Sequence, residues 1–180
     1  MRPVDGRTTL VAMNVAELLI ESYSRVPDEA ARVLDGLDES ALTYRPDAEA
    51  NSIAWLIWHL ARGQDAQVAD VAGTEQAWTA DGWAARMGLP FDASETGFGQ
   101  TSAQVAQIRV GAEDLLGYLD DVHHRSIEFL ATLAEEDLDR VVDDAWDPPV
   151  TLGVRLVSIV GDDLQHLGQA AYVRGLIERM

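Results

Sequence analysis

Four long runs of apolar residues, spaced alternately three and four apart, dominate this chain, and that spacing follows the turn of an α-helix rather than the pleat of a strand. The first run covers Thr9 to Ser24, with Val11, Val15, Leu18, Leu19 and Ile20 as its apolar face. Pro27 then predicts a short separate helix over Asp28 to Leu34, because a proline in the first turn sacrifices no hydrogen bond. After the turn-rich stretch Asp35-Gly36, Asp38 and Tyr44-Arg45-Pro46, a second run is capped by Asn51 and reaches Val71. Ile53, Leu56, Ile57 and Leu60 form its stripe, Trp55 and Trp58 flank it, and Gly73 stops it. The third run opens at Thr101, with Gln104 completing a capping box, and its stripe extends from Val105 through Ile108, Leu115, Leu119 and Val122 to Leu133. Thr151, after Asp147-Pro148-Pro149, caps the fourth, which ends near Ile177.

A helix with one apolar face must bury it against others. With almost no strand pattern between them, four such helices predict an all-α four-helix bundle, a single domain over residues 1–180, with the third and fourth helices as its most regular pair. Two connections are long crossovers. The one over residues 74–100 contains Asp81-Gly82, Gly88, Pro90, Gly97 and Gly99 as breakers, yet also Trp78, Trp83, Phe91 and Phe98, which predict that it packs down as a cover. Gly161, Gly168 and Gly175 stand seven apart on the last helix. Each costs roughly 1 kcal/mol against Ala there, so a neighbouring backbone is expected close by.

The chain carries 31 acidic and 13 basic side chains, all of the latter Arg, for a formal charge of −18. Such a surface repels phosphate backbones and anionic lipid heads, which speaks against nucleic-acid or membrane partners. No apolar run approaches the ~18 residues of a membrane span, and the N-terminus lacks the apolar core of a signal peptide, so a cytoplasmic location is expected. Cysteine is absent, which excludes disulfides, a protein thiolate nucleophile and sulfur ligation of a metal; any thiol chemistry must import its thiol.

The four histidines differ in their settings. His124 shares a face with Asp120, Asp121 and Glu128 and reads as solvated; His123 borders the apolar seam and reads as structural. His59 lies in the apolar run Trp55-Leu56-Ile57-Trp58-His59-Leu60. On the fourth helix Asp162 and His166 stand four apart and therefore on one face, with Arg155 and Gln169. A carboxylate among Ile159, Val160, Leu164 and Leu167 is expensive unless paired or metal-bound. Two histidines and one carboxylate suit Zn, Ni or Fe and leave coordination positions open. Spacing alone serves equally a pairing of Asp162 with Arg155 or Arg174 while His166 merely packs, and Asp163 stands next door as a competing carboxylate.

The run Asn51-Ser52-Ile53-Ala54-Trp55-Leu56-Ile57-Trp58-His59-Leu60, together with Asp162-(three residues)-His166-Leu167-Gly168-Gln169, resembles the DinB-like metal-binding four-helix proteins. It is most similar to the branch that includes mycothiol-dependent enzymes, here without the extra C-terminal domain of the maleylpyruvate isomerases, since Met180 follows the fourth helix directly. The resemblance implies a divalent metal on His59, Asp162 and His166, a homodimer in which the Trp-bearing segment 74–100 would supply the covered patch, and a low-molecular-weight thiol of the mycothiol type as co-substrate. The expected activity is a metal-dependent thiol transferase acting on a small electrophile. Trp55, Trp58, Trp78 and Trp83 are candidate pocket walls, and Arg155 is a candidate holder of an anionic substrate. The rivals are a metal hydrolase with Asp163 as general base and a non-enzymatic metal-binding or stress-response module. Replacing His123 and His124 together by Ala should leave metal content unchanged; elemental analysis showing its loss would mean that the wrong histidines are assigned.

Overall fold

The structure, a computed structural model, describes residues 13–180, so the expected start of the first helix at Thr9 and its Val11 lie outside the described residues. Helix α1 spans Val15–Leu34 and begins with a full capping box: Asn14 accepts from Glu17 N at 2.9 Å, and Glu17 accepts from Asn14 N at 2.8 Å. Its buried stripe is Ala16, Leu19, Tyr23, Val26, Ala30 and Val33, while Leu18 points outward. Pro27 therefore does not open a separate helix. It sits inside α1 and leaves the Tyr23 carbonyl without its helical donor, but the stripe on both sides of it is buried in the same core, and packing carries the helix through.

Helix α2 is a single turn, Glu39–Leu42, capped by Asp38. Helix α3 spans Ile53–Ala72 and is capped by Ser52 rather than Asn51: the Ser52 hydroxyl accepts from Trp55 N at 3.2 Å. Gly73 ends it in the left-handed conformation, φ 68°, which glycine adopts without a Cβ penalty. The crossover holds two short helices, α4 (Ala77–Ala80) and α5 (Trp83–Met87). It does pack down as a cover, with Trp78 and Trp83 inside the core, so these tryptophans offer no surface to a second subunit.

The capping box at Thr101 and Gln104 forms, yet it caps only one turn, α6 (Ser102–Val105). The next residues alternate, with Ile108 and Val110 buried and Gln107 and Arg109 exposed, a period of two that marks extended chain. Helix α7 starts only at Ala112, after Gly111, and ends at Leu130. A 3-10 turn, Glu135–Asp139, leads to a small antiparallel hairpin, β1 (Val141–Asp143) and β2 (Val150–Thr151). Thr151 then caps α8 (Leu152–Ile177), at 26 residues the longest described element.

Helix α1 packs on α7 and α8, and α3 packs on the same two, so α1 and α3 lie diagonally across a four-helix bundle and the long connections cross its ends. The most extensive pairing is α3 with α8, not the third with the fourth long helix. It is antiparallel, since His59 meets His166 while Gln67 further along α3 receives Arg155 further back on α8. Gly161, Gly168 and Gly175 have nothing within 4 Å of where a Cβ would stand, so no neighbouring backbone comes close there. No helix among the described residues is long and apolar enough to cross a membrane.

Among the described residues two acids are buried in the bundle, Asp65 and Asp163, and only the second lacks hydrogen-bond partners for its carboxylate. Asp163 is 1% exposed, its Oδ2 has no hydrogen-bond partner, and burial, with Asp162 adding like charge, pushes its pKa well above the aspartate range. The folded protein thus holds this proton to higher pH than the unfolded chain does, so the contribution of Asp163 to stability is present at low pH and is lost as pH rises. Asp163→Asn should therefore raise the thermal midpoint, by an increment that grows as pH rises above the ordinary aspartate range, about 4. An increment independent of pH would contradict the buried neutral acid.

Candidate metal centre

The antiparallel pairing of α3 and α8 sets two polar faces against each other. On α3 the facing positions are His59, Gly63, Ala66 and Gln67, which are a helical turn or two apart. On α8 they are Asp162 and His166. Gly63 and Ala66 carry almost no side chain, and the helices therefore enclose a cleft of about 600 Å³ rather than a packed seam. Its outer wall comes from the crossover: Thr96, Gly97, Phe98 and Gly99, with Trp55 of α3 beside them.

On the floor of this cleft, donor atoms of His59, Asp162 and His166 all lie within 4.8 Å of one another. The two imidazoles meet edge to face with centroids 4.8 Å apart, and His166 Nε2 is 3.6 Å from an Asp162 carboxylate oxygen. Each ring has its other nitrogen engaged. His59 Nδ1 is 2.6 Å from the Thr96 carbonyl, which only accepts, so Nδ1 carries the proton and Nε2 keeps its lone pair. His166 Nδ1 is 3.3 Å from Gln169 Oε1, which likewise leaves Nε2 free. Burial pushes the His59 pKa below the ordinary histidine range, partly opposed by the Thr96 carbonyl, and so favours the neutral ring that a metal requires. Two imidazole nitrogens, each ring oriented from behind, and one carboxylate are a donor set that fits a divalent ion.

The crossover approaches this floor closely. Trp55 stacks on His59 with centroids 4.5 Å apart and planes 20° apart, and its indole N–H donates to Gln100 Oε1 at 2.8 Å. Gly97 has φ +95°, and a Cβ there would stand 2.8 Å from His59 Nδ1 and 2.9 Å from the Trp58 ring. Only glycine satisfies both the backbone and the space.

The other expected site residues are elsewhere. Asp163 points into the core one step round α8 and does not line the cleft. Arg155 lies behind the wall, where it donates to Asp143 Oδ2 at 3.0 Å and Gln67 Oε1 at 3.3 Å. Of the four candidate tryptophans only Trp55 lines the cleft; Trp58 and Trp78 pack against each other in the core, and Trp83 donates to Asp121. His124 is exposed and His123 half-buried, both outside the cluster. Thr96, Gly97 and Phe98 were not legible as site residues, though two glycines around an aromatic in a long connection were the available signal.

The chain matches the DinB superfamily over residues 22–170 and belongs to that family. Among solved structures it is similar to a conserved protein from Enterococcus faecalis, with 30% sequence identity, a TM-score of 0.87, and coverage of 94% of this chain and 100% of that one. No curated protein matches it.

Gly97→Ala should cost roughly 1–3 kcal/mol of stability from backbone strain and weaken divalent-metal binding by displacing His59. Unchanged thermal unfolding and metal affinity would refute the close approach.

Proposed function

We propose that the protein is a metal-dependent transferase that uses an external low-molecular-weight thiol, of the mycothiol type, on a small electrophilic substrate. His59 and His166 would hold one Zn, Ni or Fe ion through their free Nε2 atoms and Asp162 through its carboxylate. Bound there, the ion would supply Lewis acidity that lowers the pKa of an incoming sulfhydryl toward neutrality. The chain's own residues do the rest. Asp162, half-exposed, and the two imidazoles face the cleft, so a ligand reaches them from solvent. Trp55 and Phe98 offer apolar surface to the substrate, and Phe98, 91% exposed, is available to cover it. With no cysteine in the chain, no internal thiol competes for the position.

The single observation that carries this reading is the make-up of the cleft. Among the described residues its titratable side chains are His59, Asp162 and His166, so once these hold a metal no other titratable group of those residues remains on its wall. Asp163, which the hydrolase reading names as its general base, is buried away from the cleft. A metal in that position acidifies a bound thiol without help from the wall, and the cysteine-free chain leaves the position to an external one.

Two measurements test this. Elemental analysis should find about one divalent ion per chain and its loss in both His59→Ala and His166→Ala; full occupancy in either would sink the site. Protein loaded with Co²⁺ and titrated with small thiols, mycothiol among them, should develop a saturable sulfur-to-cobalt charge-transfer band. A spectrum that responds to hydroxide but to no thiol would replace transferase by hydrolase.

A further inference from the structure

Arg62 is completely buried, one turn beyond His59 on α3, a rare position for a guanidinium. Its donors are spent in two directions. Toward the bundle, Nη1 reaches Gln76 Oε1 at 2.9 Å, the Tyr118 hydroxyl at 3.2 Å and Asp65 Oδ2 at 3.5 Å. Toward the crossover, Nε donates to the Glu95 carbonyl at 3.1 Å and Nη2 to the Ala93 carbonyl at 3.2 Å. The guanidinium also lies over the Trp78 ring, 4.9 Å from its centroid. The residues that follow the gripped carbonyls are Thr96, whose own carbonyl receives His59 Nδ1–H, and Gly97, which lies against the His59 ring.

We propose that Arg62 is a positioning residue of the metal centre: by clamping the 93–95 backbone onto α3 it places the Thr96 carbonyl that selects the Nδ1–H tautomer of His59 and aims Nε2 into the cleft. The part of this that concerns metal affinity rests on the metal-binding reading above; the part that concerns the His59 tautomer does not. A charge one turn before Asp65 on α3 would suffice to satisfy that acid, and lysine would supply it. Gripping two carbonyls on one side while satisfying Gln76 and Tyr118 on the other takes the planar fork of arginine. The charge itself is well balanced, because Asp65 in turn accepts from Ala77 N and Trp78 N, each at 2.9 Å, and from the Tyr118 hydroxyl at 2.8 Å.

The test is Arg62→Lys, which keeps the buried charge for Asp65 and loses the grip on the carbonyls. In metal-free protein, nitrogen chemical shifts of the His59 ring should report the Nδ1–H tautomer in the wild type and a mixture in R62K, a change that a purely structural arginine would not produce. Zn²⁺ affinity should fall roughly 10- to 100-fold, as expected for loss of an outer-shell support. A folded R62K with the wild-type tautomer and wild-type Zn²⁺ affinity overturns the proposal. A wild type that takes up no Zn²⁺ overturns the metal reading instead, and the tautomer comparison still decides the role of Arg62. Should R62K fail to fold, wild-type protein suffices: Zn²⁺ should slow solvent exchange of the Arg62 Nε–H, because a clamp coupled to the site is stabilised by whatever binds there. Exchange insensitive to Zn²⁺ overturns the clamp.

Discussion

A guanidinium leaves water only when acceptors await its N–H groups, and at Arg62 those acceptors come from three separate parts of the chain. Gln76 ties it to the start of the crossover, which Asp65 of the same helix also holds by accepting from Ala77 N and Trp78 N; Tyr118 ties it to α7, and the carbonyls of Ala93 and Glu95 to the crossover's far end. The long connection between α3 and α7 would otherwise bring unpaired backbone groups against the bundle. Instead it is drawn down onto α3, and the aromatic residues it carries fill the space beneath: Trp78 lies against Trp58 and Tyr118.

That closure is what gives the face between α3 and α8 its outer wall. Without the crossover, His59 would stand on an open helix surface with a free choice of tautomer. With it, the ring is stacked on Trp55, pinned at Nδ1 and partly dehydrated, and dehydration favours its neutral form. Helix α8 answers with Asp162 and His166, whose spacing of four brings them to the same face, one turn apart. The cleft exists because Gly63 and Ala66 decline to fill it, so the cluster stays accessible from solvent. Arg155, Gln67 and Asp143 form a polar brace behind it that joins the hairpin to both helices.

The sequence pattern reported some elements more faithfully than others. Helix α8 ran from its Thr151 cap to Ile177 as its periodicity implied, and α3 began within one residue of its expected cap. Both have dense apolar stripes, where burial and propensity agree. Two boundaries went astray for opposite reasons. Pro27 was read by its local cost, which burial on both sides overrides inside α1. Thr101 and Gln104 were read by their local strength, but a capping box stabilises only the turn it caps, and the buried positions Ile108 and Val110 pull the following chain into extended form. The heptad of glycines on α8 borders open space, so spacing there carried no information about packing.

By itself the sequence determined that the chain is an all-helical bundle and that His59, Asp162 and His166 are its most suggestive polar residues, because helical periodicity and an i, i+4 pair are local properties that one strand of text displays. Only the tertiary structure decided that α3 and α8 run antiparallel in contact, which brings the pair on one helix to the single histidine on the other. Only it separated Asp162, in the cleft, from Asp163, in the core, two neighbours that composition cannot distinguish and a rotation of about 100° along the helix does. And only it showed that Thr96 and Gly97 lie against His59 while Arg62 holds the backbone just before them, since residues 31 or more positions apart meet through packing and hydrogen bonds that leave no periodic trace in the chain.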